Sequence, residues 1–270
     1  MSHTIACANQ KGGVGKTTTV VNLATYLGLA GRRVLVLDLD PQGNATSGFG
    51  VDREALKATT YEALSEGRPI AELVMPTGSA GVDLVPSAIG LAAIEVELAG
   101  AAQRERRLAR AVAAVVDRYD EVLIDCPPSL GLLTVNALTA ADSVLIPLQC
   151  EYYALEGLSQ LMATIDLVRD HLNPTLRVCG VLLTMFDART KLSSDVAGEV
   201  RRHLHELVYQ TVVPRSVRLA EAPSYGQPIA RYSPESRGAA SYRDLAVEYL
   251  ARAGVSAGAP LASPLVAAVA

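Results

Sequence analysis

Residues 9 to 19, NQKGGVGKTTT, gather three glycines, two lysines and three hydroxyls into one short string after the apolar run TIACA. Without Cβ atoms, Gly12, Gly13 and Gly15 let the backbone adopt positive φ and come close to an anion. Successive N–H groups then line a concavity, and a helix starting at the GKT triplet adds its unpaired first-turn N–H groups and positive dipole end. Lys16 supplies a charge for β- and γ-phosphates, and Thr17 a hydroxyl for Mg²⁺. Gln10 stands where the usual phosphate-loop pattern has its first glycine, so the motif is a variant. Lys11 precedes the glycines and need not reach phosphates held by its own loop. It either projects into solvent or meets the nucleotide of another subunit, where its charge would stabilise a phosphoryl group in transfer.

Carboxylates complete this chemistry. Asp125 ends an apolar run just before two prolines, a position suited to accept the water ligands of Mg²⁺. Asp38 and Asp40 close another apolar run, one near the magnesium shell and one able to hold an attacking water. Residue type alone leaves their order open, and an aspartate at a strand end is also an ordinary cap or turn former. Cys7, Cys126, Cys150 and Cys179 lie too far apart for a local zinc or iron–sulfur pattern and read as reduced thiols of a cytosolic protein. His203 and His205 are two apart and share no helix face, unlike an i,i+4 metal pair.

Positioning these groups requires strands that end beside helix starts. Apolar runs at 4–8, 33–37, 81–87, 121–125, 143–148 and 177–185 read as strands. Helical patterns follow the phosphate loop to residue 29 and recur at 91–117, 131–139, 154–170, 193–208 and 238–252. This alternation predicts an α/β fold: a mostly parallel, doubly wound sheet flanked by helices, with the aspartates on its functional rim. Half of the 270 residues are apolar and none is tryptophan, a mixture that suits helices covering a buried parallel sheet. Residues 41–80 are Gly- and Pro-punctuated and poorly periodic. Residues 1–252 are expected to form one domain and 253–270 a flexible tail. The N-terminus carries no secretory pattern, and no uncharged apolar run reaches the length of a membrane span.

Several long motifs in order extend the pattern: KGGVGKTTTVVNLA, LDLDPQGNATSG, VLIDCPPSLGLLTVNAL, PLQCEYYALEGL, LTMFDART, VPRSVRLAEAPSYGQPI and SRGAASYRDLAVE. Together they resemble the deviant Walker A, or ParA/MinD, ATPases, and within them the ParA/Soj partition ATPases. The resemblance implies the P-loop NTPase fold and an ATP sandwich homodimer. Its nucleotide cradle would comprise Lys11, Gly12, Gly13, Val14, Gly15, Lys16, Thr17 and Thr18. Lys11 would reach the partner's ATP, Lys16 the phosphates of its own subunit, and Thr18 the α-phosphate. Thr17, with Asp38 and Asp125, would serve Mg²⁺. Asp40 would orient the hydrolytic water, Pro214 would pack near the adenine, and a bulky side chain at Gly12 would block dimerisation.

The resemblance further implies slow ATP hydrolysis, sequence-independent binding of double-stranded DNA by the ATP dimer, and stimulation by a ParB-type partner. The protein would be cytoplasmic and join the nucleoid when ATP-bound. The whole chain has a formal charge of −4, yet residues 187–243 hold nine Lys or Arg against six acids. A basic patch rather than a basic whole suffices for phosphate-backbone contact. By resemblance Arg189 and Arg218 come first as contacts, then Arg215. A membrane-associated MinD-like protein would need a basic amphipathic C-terminal helix, but residues 254–270 have no charge and carry Pro260 and Pro264. An iron–sulfur-bridged dimer and a non-hydrolysing nucleotide-dependent adaptor are two further rivals to the partition ATPase.

Overall fold

The computed structural model describes residues 2–152 and 154–254. The strands are β1 (His3–Cys7), β2 (Val34–Asp38), β3 (Met75–Pro76), β4 (Val82–Val85), β5 (Glu121–Asp125), β6 (Ser143–Gln149), β7 (Arg177–Phe186) and β8 (Val208–Pro214). They form one sheet in the order β3-β4-β2-β5-β1-β6-β7-β8. Every pairing is parallel except β3 with β4. The helices are α1 (Lys16–Leu29), α2 (Asn44–Gly48), α3 (Thr60–Ser65), α4 (Ile94–Glu97), α5 (Arg107–Ala113), α6 (Leu132–Ala140), α7 (Ala154–His171), α8 (Lys191–Leu204), α9 (Val217–Glu221), α10 (Ile229–Tyr232) and α11 (Arg237–Arg252).

Alternate strand residues enter opposite cores, which is why the strands read as continuous apolar runs rather than alternating ones. Leu35, Leu37, Val122, Ile124, Val144 and Ile146 pack against one helical layer with Leu138, Leu161 and Val200. Val34, Val36, Leu123 and Leu145 face the other layer, with Leu23 and Leu27 of α1 and Tyr242, Leu245 and Tyr249 of α11. Helix α1 lies very close to the turn before β4: a Cβ on Gly28 would sit 2.1 Å from the Ala80 carbonyl oxygen. Only glycine permits that approach.

All six expected strands form, and the sheet gains β3 and β8 beyond them. The run VYQTVVP of β8 follows closely on α8, so the helix expected to reach residue 208 stops at Leu204 instead. The single helix expected over 91–117 is broken into α4, α5 and short 3₁₀ turns. Gln103 takes φ 53° there. The buried Asn136 side chain accepts from Leu108 N and donates to the Arg104 carbonyl, supplying tertiary partners where helix continuity stops. Tyr153 and the greater part of the expected tail, residues 255–270, lie outside the described residues.

Candidate functional site

The phosphate loop runs from the end of β1 into α1 and is fixed at both flanks. Buried Asn9 donates to the Pro147 carbonyl at 2.8 Å and accepts from Lys11 N at 3.0 Å. Thr184 Oγ1, near the end of β7, donates to the Val14 carbonyl at 2.8 Å. Gly13 and Gly15 adopt φ 75° and 90°, and Gly15 occupies the N-cap of α1 in a left-handed conformation. No side chain among the described residues caps this 14-residue helix, so its first-turn N–H groups face the loop concavity as anion donors. Lys16 is buried, and its ammonium donates to the Lys11 carbonyl at 3.0 Å.

The register of β2 and β5 places Asp38 beside Asp125, next to Thr17 of the loop. Thr17 Oγ1 donates to Asp125 Oδ2 at 2.7 Å, while buried Oδ1 has no partner among the described residues. Burial first, and then the charge of Asp38, push the Asp125 carboxyl well above the usual carboxylate range. A buried carboxylate with an unused oxygen, next to a hydroxyl and further acids, is a hard-oxygen donor set that fits Mg²⁺.

The two aspartates after β2 separate clearly. Asp38 Oδ2 accepts from both Thr46 N at 2.8 Å and Thr46 Oγ1 at 2.7 Å, and Oδ1 accepts from Asp40 N at 3.2 Å. It is fully buried, and burial raises its pKa to about 6 although these donors oppose the shift. Its visible work is to pin α2 and the backbone of Asp40. Asp40 lines the cavity, with Oδ1 accepting from Gln42 N at 2.9 Å.

That cavity, about 520 Å³, is lined by Gly12, Gly13, Gly15, Lys16, Thr17 and Thr18 of the loop together with Asp40. Val14 is buried behind it. Pro214 does not line it: this residue is paired with Phe186 at the end of the sheet, and Pro223, Ser224 and Gln227 of the following segment line it instead. The segment that carries Pro214 reaches the cavity only after turning through α9, at Pro223. Asn22 and Met185 also line the cavity without having been expected there. Asn22 accepts from Ile229 N at 2.7 Å and donates to the Thr18 carbonyl, tying the far wall to the loop. Met185 has φ 49°, a strain at the end of β7 that no sequence pattern announces.

Lys11 does not line this cavity. Its ammonium is ion-paired with Glu151 after β6, and its side chain remains 43% exposed. Gly12 is exposed, and an added Cβ would meet only Pro128 Cβ at 3.7 Å, an ordinary contact.

Arg189, Arg215 and Arg218 stand on the segments that follow β7 and β8, the second of which also supplies Pro223 and Ser224 to the cavity. Arg189 is 87% exposed and grips Asp187 at 2.7 and 2.9 Å, which holds the Asp187 carboxyl down at about 2. The charge of Arg215 acts on the same carboxylate. Arg218 pairs with Glu221 at 3.0 Å beside exposed Val217.

A family model described as an AAA domain matches residues 2–178. The chain is 55% identical over 251 residues to the sporulation initiation inhibitor protein Soj of Bacillus subtilis (strain 168), covering 93% of this chain and 99% of that protein. It is 53% identical to the chromosome-partitioning ATPase Soj of Thermus thermophilus, covering 92% and 95% respectively. Among solved structures it resembles a cobyrinic acid a,c-diamide synthase from Mycobacterium smegmatis with bound ATP analogue and magnesium. The TM-score is 0.81 at 39% identity, with 94% of this chain and 97% of that one covered.

Proposed function

The chain belongs to the ParA/Soj family of partition ATPases, and from that premise we propose that it is an ATP-switched dimer that binds DNA without sequence preference and segregates replicons with a ParB-type partner. It hydrolyses ATP to ADP and phosphate, with Mg²⁺ as cofactor. Bound Mg²⁺ would neutralise charge on the β- and γ-phosphoryl oxygens. Thr17 and Asp125 hold its site, Asp38 fixes the segment that carries Asp40, and Asp40 orients the hydrolytic water. Lys16 and the N–H groups of Gly13 to Thr18 bind the phosphates, and Pro223 and Gln227 flank the base.

The observation that carries the dimer is the placement of Lys11, whose ammonium lies outside its own cavity and is paired with Glu151 instead. In the ATP dimer it exchanges that partner for the other subunit's phosphates. Arg189, Arg215 and Arg218 contact the DNA backbone, and dimerisation doubles their number on one particle, so DNA affinity follows nucleotide state through effective concentration. The protein is cytoplasmic and collects on the nucleoid in its ATP form.

Light scattering coupled to size exclusion, with parallel DNA titrations, tests this in apo, ADP and nonhydrolysable-ATP states. Gly12→Val should fold normally, since a Cβ there makes only an ordinary contact within one chain, and should fail to dimerise. Lys11→Ala should lose turnover, and Asp40→Ala should keep the ATP dimer while impairing turnover. A Gly12→Val protein that dimerises and hydrolyses normally would overturn the sandwich arrangement.

A further inference from the structure

At the opposite rim of the sheet, where the parallel strands begin, the chain encloses a second cavity of about 570 Å³, as large as the nucleotide cavity. Its walls come from the starts of β1, β5, β6 and β7 and the end of α11. The floor is a built polar network. Glu121, 2% exposed, accepts from Tyr249 Oη at 2.6 Å and Arg32 Nη2 at 3.2 Å. The His3 ring bridges Tyr249 Oη and Ser143 Oγ, each at 3.0 Å.

The network leaves donors over. Arg32 Nε and Ser2 Oγ are buried without a partner among the described residues, and both residues line this cavity. Arg177, at the mouth, has no ion pair for its guanidinium among the described residues. Among the described residues no hydrogen bond or ion pair joins the acids lining the cavity to Arg32 Nε, Ser2 Oγ or the Arg177 guanidinium. Glu121 is taken by Tyr249 and Arg32 Nη2, and Asp142 Oδ2 accepts from Thr4 N at 2.8 Å. Arg252 is spent on Glu248 at 2.7 Å and stacks 4.1 Å from the Tyr209 ring centroid, so it forms a wall. Orphaned donors beside an unpaired guanidinium call for an acceptor-rich, negatively charged guest, because a buried N–H without a partner forfeits its solvation.

We propose that this cavity is a second ligand site, separate from the nucleotide pocket, that takes a small oxyanion, either a carboxylate or a phosphate, held by Arg32 Nε, Ser2 Oγ and Arg177. The site does not depend on the ATP chemistry above, since none of its residues lines the nucleotide cavity.

Calorimetric titration of the full-length protein, with the nucleotide pocket already saturated by ADP and Mg²⁺, tests it with two probes, inorganic phosphate and succinate. One of the two should bind saturably, and which one does identifies the class. Arg177→Gln, on an exposed side chain, should weaken that binding about tenfold, the effect of losing one charge-assisted hydrogen bond. Arg32→Lys keeps a cation for Glu121 but removes the Nε donor, and should weaken it comparably with an unchanged thermal midpoint. Saturable binding that survives both substitutions, binding that disappears once ADP fills the first pocket, or a crystal soaked in both anions showing only an ordered water at Arg32 Nε would each overturn the assignment. Failure of both probes to bind would do the same.

Discussion

Strand β5 begins with Glu121 and ends with Asp125, two buried carboxylates separated by three apolar residues, and their surroundings are opposites. Glu121 meets Tyr249, Arg32 and, at 3.9 Å, His3. Asp125 meets one hydroxyl, keeps one oxygen without a partner among the described residues, and has Asp38 and Asp40 as charged neighbours, with Lys16 opposing them. Burial pushes both pKa values up, but at Glu121 the Tyr249 hydrogen bond and the neighbouring His3 and Arg32 oppose the shift. One end of the strand is charge-matched by the protein itself. The other is left mismatched, as a site for a cation arriving with the nucleotide would be.

The comparison breaks if removing either carboxylate has the same consequence. Glu121→Ala should destabilise the protein by about 3 kcal/mol, because it leaves Arg32 and the Tyr249 hydroxyl facing a hole. Urea unfolding followed by circular dichroism would measure it, and a loss below about 0.5 kcal/mol would show that water reaches the pair freely. Thr46→Val at the other rim should cost about 2 kcal/mol, since it removes a donor to buried Asp38 and the acceptor of Ser87 N. It should also slow ATP turnover while leaving the nucleotide's KM nearly unchanged, as expected of a positioning residue. A fall in stability with unaltered turnover would confine Asp38 and Thr46 to packing.

Asp125→Asn should act with the reverse sign. Removing the charge that burial and Asp38 disfavour should stabilise the nucleotide-free protein by on the order of 1 kcal/mol. The same substitution should abolish the extra thermal stabilisation that Mg²⁺ adds to ADP, which scanning calorimetry with and without EDTA resolves. If the asparagine form unfolds earlier than the parent, the mismatch at this end of β5 is not real.

Legibility in the sequence follows the same division. The loop NQKGGVGKTTT is readable because its geometry is made by consecutive residues, and Gly13, Gly15 and Lys16 act where they stand. Asp125 is readable as a strand-end acid, and six of the eight strands as apolar runs. Those runs imply two cores but not their membership, which depends on pleat register. What resists reading depends on chain reversals. Asp38 and Asp40 are two apart, yet only the fold of α2 decides that one turns to Thr46 and the other to the cavity. Pro223 lines the cavity and Pro214 does not, because α9 intervenes. The arginine-lined cavity at the other rim joins residues from 2 to 253, so no local pattern could announce it.

The smallest expected effect concerns charges that neither rim buries. Arg189 is bound to Asp187 yet 87% exposed, so Arg189→Ala should leave the unfolding midpoint essentially unchanged. Under the proposed DNA contact its effect falls on DNA binding instead. If the guanidinium leaves Asp187 for a backbone phosphate, removing it should lower affinity for every duplex alike and reduce the slope of log K against log salt by about 1 for each phosphate no longer neutralised. Asp187→Asn supplies the complementary arm, since it frees Arg189 without removing it and should raise affinity at low salt. Fluorescence anisotropy with two unrelated duplexes, from low to physiological salt and with nonhydrolysable ATP present, reads both variants. A slope unchanged by Arg189→Ala and an affinity unchanged by Asp187→Asn would make the pair a surface ion pair and nothing more. DNA attachment would then have to rest on Arg215 and Arg218, nearer the nucleotide wall, and the same salt series on their alanine variants would show it.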